Sequence, residues 1–396
     1  MKVNLVFDYS NMAFRSLFII GKVGLRDNYA SQKDINRYIT KLATDISYIV
    51  RTYVPESRVI MAMDAKGPWR KELLKNEPIG YKGTREKDET IEWGNIFEAL
   101  DEFAEILEKN NMSVMKVPHA EGDDLIAMYK EHFFNNTKDE SIIIVSADKD
   151  IRQLVDFKPD TKQFSMVLNP VNTYKQKNKK LYLTQELMDY YKSPVTNAEK
   201  QDDFLSSMFG NSAVTTDNNI RELLSTMETK KNIEFEIVDP NEVILHKIFC
   251  GDDSDNIPSL YGFFNKKDKW TRITPSKYKK IVEIMGLNNS KDLIANKDSL
   301  IDVVETVMKS RPPQNLPDKL MRQQRLVELD SNLFPSEIVE EFNNRVLDEL
   351  NESTFEVYTY KNMSNKKLLE GTKFEEGFST STTNSMFADI DKYLKS

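Results

Sequence analysis

Three short apolar runs, separated by much longer segments of helical periodicity, constrain the fold of this 396-residue chain more than any other feature. The runs are rich in β-branched residues and cover residues 3–7, 58–63 and 141–146. Continuous apolar runs of this length are typical of strands buried on both faces of a parallel sheet. Because these strands alternate with helical segments such as 34–53 and 91–110, the sequence predicts an α/β fold with a mostly parallel central sheet flanked by helices.

An aspartate follows each of these predicted strands. Asp8 comes directly after the first run and Asp64 directly after the second, while Asp148 and Asp150 follow the third run closely. In an open parallel sheet, ligands bind in the crevice beyond the carboxyl ends of the strands. A single aspartate at such a place is as readily explained as a turn residue. The functional interpretation therefore depends on these aspartates converging in space.

Two further segments concentrate carboxylates. Their acidic residues are Glu121, Asp123, Asp124, Asp252, Asp253 and Asp255. The first three open a predicted helix in AEGDDLIAMYK, where acids also complement the helix dipole, and the last three lie in GDDSDN, before a proline turn. Carboxylates that share a cleft must be neutralised or protonated. Mg²⁺ or Mn²⁺ with oxygen ligands would neutralise them, and a pair of such ions can promote phosphodiester hydrolysis.

The charge of the chain is unevenly distributed. The net charge of −8 argues against a nucleic-acid partner, because phosphate contacts usually require a basic face. Residues 261–280, however, contain seven Lys or Arg and one Asp, and residues 174–180 contain four lysines and no acid. Acids gathered around metal ions, with bases gathered elsewhere, would reconcile the net charge with a nucleic-acid substrate.

The composition of the chain indicates its cellular compartment and argues against disulfide bonds and a Cys/His zinc site. No run approaches the roughly 20 apolar residues of a membrane span, and the start, MKVNLVFDYS, is too short and too acidic for a secretory signal. The single cysteine, Cys250, excludes an internal disulfide and leaves a reducing compartment as the default. Three histidines argue against a Cys/His zinc site. We therefore expect a cytoplasmic protein without a membrane partner.

Residues 67–87 interleave basic and aromatic side chains directly after Asp64. The segment either forms a solvated charged loop or arches over the acidic cleft. In the second case Lys82 and Arg85 would counter charge on a scissile phosphate, and Tyr81 would stack on a base. Phe14 and Arg15 could act similarly near the start of the first helix, although the pattern suits Phe14 equally well for the core.

The chain resembles the structure-specific 5′-nuclease (flap endonuclease) family in an ordered set of motifs. In order along the chain they are Asp8, Asp64, YKGTR, EGDD, SADKD and GDDSDNIP. The resemblance covers about residues 1–170 and 240–345. It implies a PIN-like α/β nuclease core, two metal sites and a helical arch through which single-stranded 5′ ends pass. The motifs are weak singly, but their ordered set is specific.

The resemblance also implies roles for individual residues. The first metal cluster would comprise Asp8, Asp64, Glu121 and Asp123. The second cluster or its shell would comprise Asp148, Asp150, Asp252 and Asp255, and Asp124 would bridge the two. Lys82 and Arg85 match the arch cations, which act on the scissile phosphate, and Phe14 matches a stacking aromatic. Two Mg²⁺ or Mn²⁺ ions are the implied cofactors.

The chain departs from the family after GDDSDNIP, because it lacks the Gly-x-Gly turn of a cation-binding helix-hairpin-helix. We therefore expect basic side chains to hold duplex phosphates directly. The predicted nucleic-acid contacts are Phe14, Arg15, Arg70, Tyr81, Lys266, Lys267, Lys269, Arg272 and Lys277. This variant, with VYTYKNMSNKKLLEGTKF near the end, is similar to the phage ribonuclease H branch of the family, whose members remove RNA primers during replication.

The predicted organisation has four parts. They are a nuclease core at 1–174 with a helical arch at about 66–92, an insertion or connector at 175–240, a helical region at 241–345 that completes the metal site and binds duplex, and a C-terminal segment at 346–396 with a flexible tail. The last ten residues either dock on a sliding clamp or single-strand-binding protein or form a loose tail. A monomer is expected.

The resulting hypothesis is a Mg²⁺-dependent 5′-nuclease, both 5′→3′ exonuclease and flap endonuclease. Its substrates would be RNA primers, 5′ flaps, and branched or nicked DNA and RNA–DNA duplexes in replication. Two alternatives remain open. A PIN-like ribonuclease shares strand-end acids but lacks the arch cations and the basic segment after GDDSDN. A non-catalytic branched-DNA-binding replisome protein would have no need to retain the acids.

Overall fold

The nine described strands form one sheet at the centre of the protein, as seen in a computed structural model. The structure describes residues 2–22, 31–54, 56–85, 88–170, 179–194, 216–231, 233–262, 272–309, 315–351 and 358–375. In these ranges the strands are β1 (Lys2–Asp8), β2 (Glu56–Ala62), β3 (Ser113–Met115), β4 (Glu140–Val145), β5 (Asp156–Lys158), β6 (Gln163–Asn169), β7 (Lys180–Leu183), β8 (Glu234–Ile237) and β9 (Tyr358–Thr359). The main strand order is β3-β2-β1-β4-β6-β7-β8, and the two remaining strands pair with β6 and β2.

The three strands predicted from apolar runs lie side by side at the centre of this sheet. β1 pairs in parallel with both β2 and β4, and Leu5 lies opposite Val59 on one side and Ile143 on the other. Their carboxyl ends therefore meet at one edge, which is where the sequence placed the aspartates. The predicted α/β class with a mostly parallel sheet is confirmed.

Helices cover both faces of the sheet. The described helices are α1 (Tyr9–Lys22), α2 (Gln32–Tyr53), α3 (Arg70–Leu73), α4 (Trp93–Lys109), α5 (Gly122–Asn136), α6 (Gln185–Lys192), α7 (Thr216–Ser225), α8 (Pro240–Cys250), α9 (Pro275–Met285), α10 (Ser290–Ala295), α11 (Lys297–Met308), α12 (Leu316–Val327), α13 (Ser336–Asn351) and α14 (Asn365–Leu369). Both periodic segments of the sequence form helices, α2 and α4. At α8 the Asn241 N–H donates to the Asp239 carboxylate over 2.9 Å, so Asp239 caps the helix ahead of Pro240.

Three apolar clusters hold these layers together. Alternate residues of β1 point to opposite faces: Leu5 and Phe7 join α1, α2 and α4 in one cluster, and Val6 joins α5 and α13 in the second. The third cluster lies among α8, α9, α11 and α12. Because α13 packs against the sheet rather than in this third cluster, the helical region with its own core ends near Val327 rather than at residue 345.

Residues 175–240 differ from the expected insertion or connector. Within this segment β7 pairs antiparallel with β6, β8 pairs parallel with β7, and Leu181 and Leu183 are fully buried. The central sheet therefore continues beyond residue 174. The C-terminal segment also joins the core, because β9 pairs with the start of β2 and Leu369 is buried.

The segment at 66–92 differs from the expected helical arch. Among the described residues of this segment, only the four residues of α3 are helical, and turns follow them. Lys82 has a φ of 55°, in the left-handed region, next to Gly83, whose close approach to the Gly80 backbone leaves no space for a side chain. Arg70 and Tyr81 are buried and fix the segment to the core. The tail at 376–396, with its predicted docking segment, lies outside the described residues.

Candidate active site

Asp8 and Asp64 lie at the carboxyl edge of the sheet. Asp8 is the last residue of β1 and is 7% exposed; it accepts hydrogen bonds from the Ser146 hydroxyl (2.8 Å) and the Asn11 N–H (3.1 Å). Burial and the charges of Asp64 and Asp148 raise the pKa of Asp8 to about 7. An acid with this pKa is only partly ionised at neutral pH unless a cation offsets the neighbouring charges.

Asp64 links the end of β2 to the start of α5. Its carboxylate accepts the Gly122 N–H over 2.6 Å, and a Cβ added at Gly122 would lie 3.1 Å from the same carboxylate oxygen. Glycine at this position therefore permits the close approach. Water reaches Asp64, yet partial desolvation by the surrounding protein, with the charge of Glu121, raises its pKa.

Three carboxylates at the N-terminus of α5 form the first cluster. Each of Glu121, Asp123 and Asp124 offers an oxygen within 4.8 Å of the others. The Glu121 N–H donates to Asp124 Oδ2 over 3.0 Å, as part of a capping box that fixes the start of the helix. Burial, together with Glu121 and Asp124, raises the pKa of Asp123 well above its ordinary value.

Arg70 is part of the wall behind this cluster. It is 1% exposed; Nη1 donates to Glu121 over 3.0 Å, and Nη2 lies 2.7 Å from Asp124 Oδ1 as an ion pair rather than an aligned hydrogen bond. Nε donates to the Leu326 carbonyl over 3.2 Å. The prediction that Arg70 contacts nucleic acid is therefore wrong, because the guanidinium is buried and its donors are directed at the protein.

Tyr81 and Lys82 complete the surroundings of Glu121. The Tyr81 hydroxyl donates to Glu121 over 3.0 Å, and the Lys82 ammonium contacts the other carboxylate oxygen. These partners and Arg70 outweigh the effect of burial and hold the pKa of Glu121 below its ordinary value. Since Tyr81 is 5% exposed, the prediction that its ring stacks on a base is also wrong.

A second cluster of carboxylates comprises Asp150, Asp252 and Asp255, each again with an oxygen within 4.8 Å of the others. The Lys247 ammonium lies 2.6 Å from Asp252 and also contacts Asp150. This lysine and the Ser254 hydroxyl hold the pKa of Asp252 at about 2 against the effect of burial. Burial, with Asp148, raises the pKa of Asp150 to about 6.

The segment at 67–87 brings basic residues to the rim of the second cluster, against the loop after α8. Arg85 donates to Asp255 over 2.5 Å, and the Lys82 N–H donates to the Asp255 carbonyl over 2.8 Å. Arg272 contacts Asp253, whose side chain is directed to solvent and takes no part in the cluster. The predicted arch cations thus lie between the two clusters.

The acids form a continuous bowl rather than two isolated sites. Repulsion links Asp8 to Asp64 and Asp148, Asp64 to Glu121, and Asp148 to Asp150. The bowl holds nine carboxylates and, among the described residues, four cations at contact distance. Those cations are Arg70, Lys82, Arg85 and Lys247. An excess of hard oxygen donors fits divalent ions such as Mg²⁺ or Mn²⁺.

Phe14, Arg15 and Lys277 are the remaining predicted nucleic-acid residues that the structure describes. Phe14 is half-buried and meets Trp93 and Phe97 with ring centroids 6.2 and 6.4 Å away, so it packs between α1 and α4. Burial lowers the pKa of Arg15, although Asp45 opposes that effect. Lys277 lies in the first turn of α9. Lys266, Lys267 and Lys269 lie outside the described residues.

Sequence reasoning missed several residues of the site. Lys247 has no local signal, because its partner Asp150 is 97 positions away. Ser146, which follows β4 and binds Asp8, could have been found as a polar strand-end residue. Trp69, in the segment at 67–87, is 8% exposed and donates from Nε1 to Asp124 over 3.0 Å.

The chain is similar in sequence to known 5′-3′ exonucleases. Residues 3–192 match the family model described as 5′-3′ exonuclease, N-terminal resolvase-like domain. A curated 5′-3′ exonuclease of Mycoplasmopsis pulmonis (strain UAB CTIP) is 26% identical over 266 residues, which are 67% of this chain and 64% of that relative. The alignment thus spans less than two thirds of the relative's own length.

Solved structures from T5 share the fold. A 5′-exonuclease with divalent zinc ions bound is 18% identical with a TM-score of 0.50, covering 88% of this chain and 99% of that one. A flap endonuclease in a pseudo-enzyme-product complex with DNA and metal ions is 17% identical with a TM-score of 0.50, covering 89% and 100%. At these identities the likeness concerns the fold.

Proposed function

We propose that the chain, whose residues 3–192 match the model of the 5′-3′ exonuclease N-terminal domain, is a metal-dependent 5′-nuclease of that family. It hydrolyses phosphodiesters at the 5′ ends of DNA and RNA–DNA duplexes, as exonuclease and flap endonuclease. The observation that carries the proposal is the pair of carboxylate clusters, each with oxygens within 4.8 Å, at the carboxyl edge of the parallel sheet.

The cofactors we propose are two Mg²⁺ or Mn²⁺ ions. One ion would be held by Asp8, Asp64, Glu121 and Asp123. The other would be held by Asp148, Asp150, Asp252 and Asp255. Asp124 is fully buried and lies behind the first ion's ligands. When bound, such ions polarise a phosphate and promote attack by water. The fit rests on the donor set, which consists of carboxylate oxygens; burial and mutual repulsion raise the pKa of several of these groups, including Asp8 and Asp123.

The residues around the carboxylates orient substrate and ligands. Lys82 and Arg85 stand between the clusters, where their ammonium and guanidinium groups can compensate charge that develops on the scissile phosphate. To do so they must exchange a carboxylate partner for a phosphate. Arg272 and Lys277 extend positive charge from the second cluster toward α9, which suits duplex phosphates.

Asp148→Asn tests the assigned site. We expect cleavage of a 5′-labelled flap in Mg²⁺ to fall at least about 100-fold, because the variant removes a charge shared by both clusters. Asp160→Asn, an exposed acid in the turn after β5, is the matched control and should cleave at the wild-type rate. Wild-type cleavage by Asp148→Asn, with unchanged flap binding, would refute the assignment.

Lys82→Ala separates a catalytic cation from general surface charge. The expected result is a cleavage rate about 10²-fold lower with flap affinity within a few-fold, because charge compensation grows as the reaction proceeds. Lys75→Ala removes an exposed lysine of the same segment, paired with Glu72, and should leave the rate unchanged. Equal losses in the two variants would contradict a catalytic role for Lys82.

Finer assignments belong to the same proposal. Similarity to the phage ribonuclease H branch supports RNA-primer removal in replication, which product analysis on matched RNA-primed, nicked and flap substrates would check. A PIN-like ribonuclease would cleave single-stranded RNA without need of a 5′ end, and a non-catalytic binder would not cleave at all.

We also propose a cytoplasmic monomer whose tail contacts a sliding clamp or single-strand-binding protein. Among the described residues, no helix is long and apolar enough to cross a membrane.

A further inference from the structure

A groove of about 880 Å³ opens at the β8 end of the sheet. It is bounded by β5, the N-terminal turns of α6 and α8, and one face of α9. Its floor is apolar and includes Phe157, Val238, Leu245, Val282 and Leu287. A concave apolar surface of this size can enclose several side chains of another molecule.

The rim of this groove is acidic. Five carboxylates line it, against one lysine, Lys279; they are Asp156, Glu186, Asp239, Glu242 and Glu283. Asp156 is paired with Lys130 over 2.6 Å, whereas Glu186, Glu242 and Glu283 are exposed to solvent. An acidic rim repels phosphates and attracts cations, so nucleic acid is a poor occupant and a basic one is favoured.

The groove is separate from the bowl of carboxylates. α8 begins at the groove with Asp239 and Glu242 and ends beside the second cluster, where Gly251 and Asp252 follow it. Eight residues of helix, 243–250, separate Glu242 from the loop that carries Asp252, which corresponds to about 12 Å along the axis. Substitutions at the rim can therefore be made without touching the proposed metal ligands.

β8 is an edge strand of the described part of the sheet, and it adjoins the groove. In the part of the chain that the structure describes, β8 pairs with β7 and with no other strand. Ile237, at its end, lines the groove and is 47% exposed. An edge strand with an exposed apolar side chain can accept an extended polypeptide by strand addition.

We propose that this groove docks an extended segment of a partner protein that alternates large apolar side chains with lysine or arginine. The apolar side chains enter the groove over Val238 and Leu245, and the cations face Glu186, Glu242 and Glu283. The backbone of the segment pairs with the edge of β8. The partner could thereby be held to the nuclease while the bowl remains open to DNA.

Fluorescence anisotropy with synthetic peptides tests the proposal on the full-length protein. The probes are labelled peptides of about twelve residues that alternate Lys with Val, Glu with Val, or Lys with Ser. We expect the Lys–Val peptide to bind at least about tenfold more tightly than either of the others, since it alone satisfies both rim and floor. Equal binding of the Lys–Val and Lys–Ser peptides would indicate simple charge attraction and overturn the proposal.

Charge-reversal variants locate the binding. Glu186→Lys/Glu242→Lys should weaken the Lys–Val peptide at least about tenfold while leaving flap cleavage unchanged. Glu98→Lys/Glu105→Lys makes the same charge change on exposed positions of α4 and should keep the wild-type affinity. Equal weakening by both pairs would refute the assigned groove. The proposal would also be refuted if the wild-type protein were a dimer and the groove variant alone were a monomer. The occupant of the groove would then be a second copy of the chain.

Discussion

Asp8→Asn is expected to lower flap cleavage by about 10³-fold or more while making the metal-free protein more stable at pH 8. The first effect follows from the loss of a carboxylate charge at the end of β1, and a 10³-fold loss corresponds to about 4 kcal/mol of transition-state stabilisation. The second effect follows from burial, because Asp8 is 7% exposed and is repelled by Asp64 and Asp148.

The direction of the stability change depends on pH. The pKa of Asp8 rises from 3.8 in the unfolded chain to about 7 in the fold, so its ionisation disfavours the folded state. This cost is absent well below pH 4, grows as pH rises from there, and reaches on the order of 4 kcal/mol above pH 7. Asparagine avoids that cost, and the Ser146 hydroxyl can still pair with it. Without metal, the variant should therefore gain stability relative to wild type between pH 5 and pH 8.

Urea unfolding in EDTA and in Mg²⁺ measures both effects. Wild type should gain stability on Mg²⁺ addition, because binding to the folded state alone adds to its stability. The variant should gain much less. A variant that is less stable than wild type in EDTA at pH 8 would contradict the electrostatic account of Asp8, whatever its activity.

Much of the fold follows from local sequence patterns, because its centre is built from unusually clear ones. β1, β2 and β4 are buried on both faces and read as continuous apolar runs, and α2 and α4 show regular periodicity. β7 and β8 escaped prediction for a physical reason. Their sequences, KLYL and EFEI, are only four residues long and each begins with a charged residue, so their strand character depends on pairing with neighbours distant in the chain.

The acids of the site could be predicted because they follow strands or open a helix, and both positions are visible in the sequence. Their cationic partners could not. Nothing local distinguishes the buried Arg70, which meets Glu121 51 positions later, from the exposed Lys71 beside it. Both lie in the same charged segment, and burial is decided by the packing of α5 and α12 around α3. The sequence therefore suggested a nucleic-acid contact where the structure has an internal ion pair.

Arg70→Met is accordingly expected to destabilise the protein by about 3–5 kcal/mol, the usual cost of leaving buried charges without their partner. Burial alone would lower the pKa of Arg70, but Asp124, Asp123 and Glu121 raise it, so the guanidinium is charged in the fold. Methionine has a similar length but no charge and no donors. Glu121 and Asp124 would then lose the guanidinium that pairs with them in a buried wall.

Lys71→Met and Arg70→Lys make the comparison decisive. Lys71 is exposed, so its loss should change the free energy of unfolding by less than about 0.5 kcal/mol. Arg70→Lys keeps the charge but cannot reach Glu121, Asp124 and the Leu326 carbonyl together, so its stability should lie between the other two. If urea unfolding gave Arg70→Met the stability of Lys71→Met, the ion pairs behind the first cluster would contribute nothing to the fold. Because those pairs also fix the carboxylate of Glu121, Arg70→Met should bind Mg²⁺ more weakly than wild type by calorimetry.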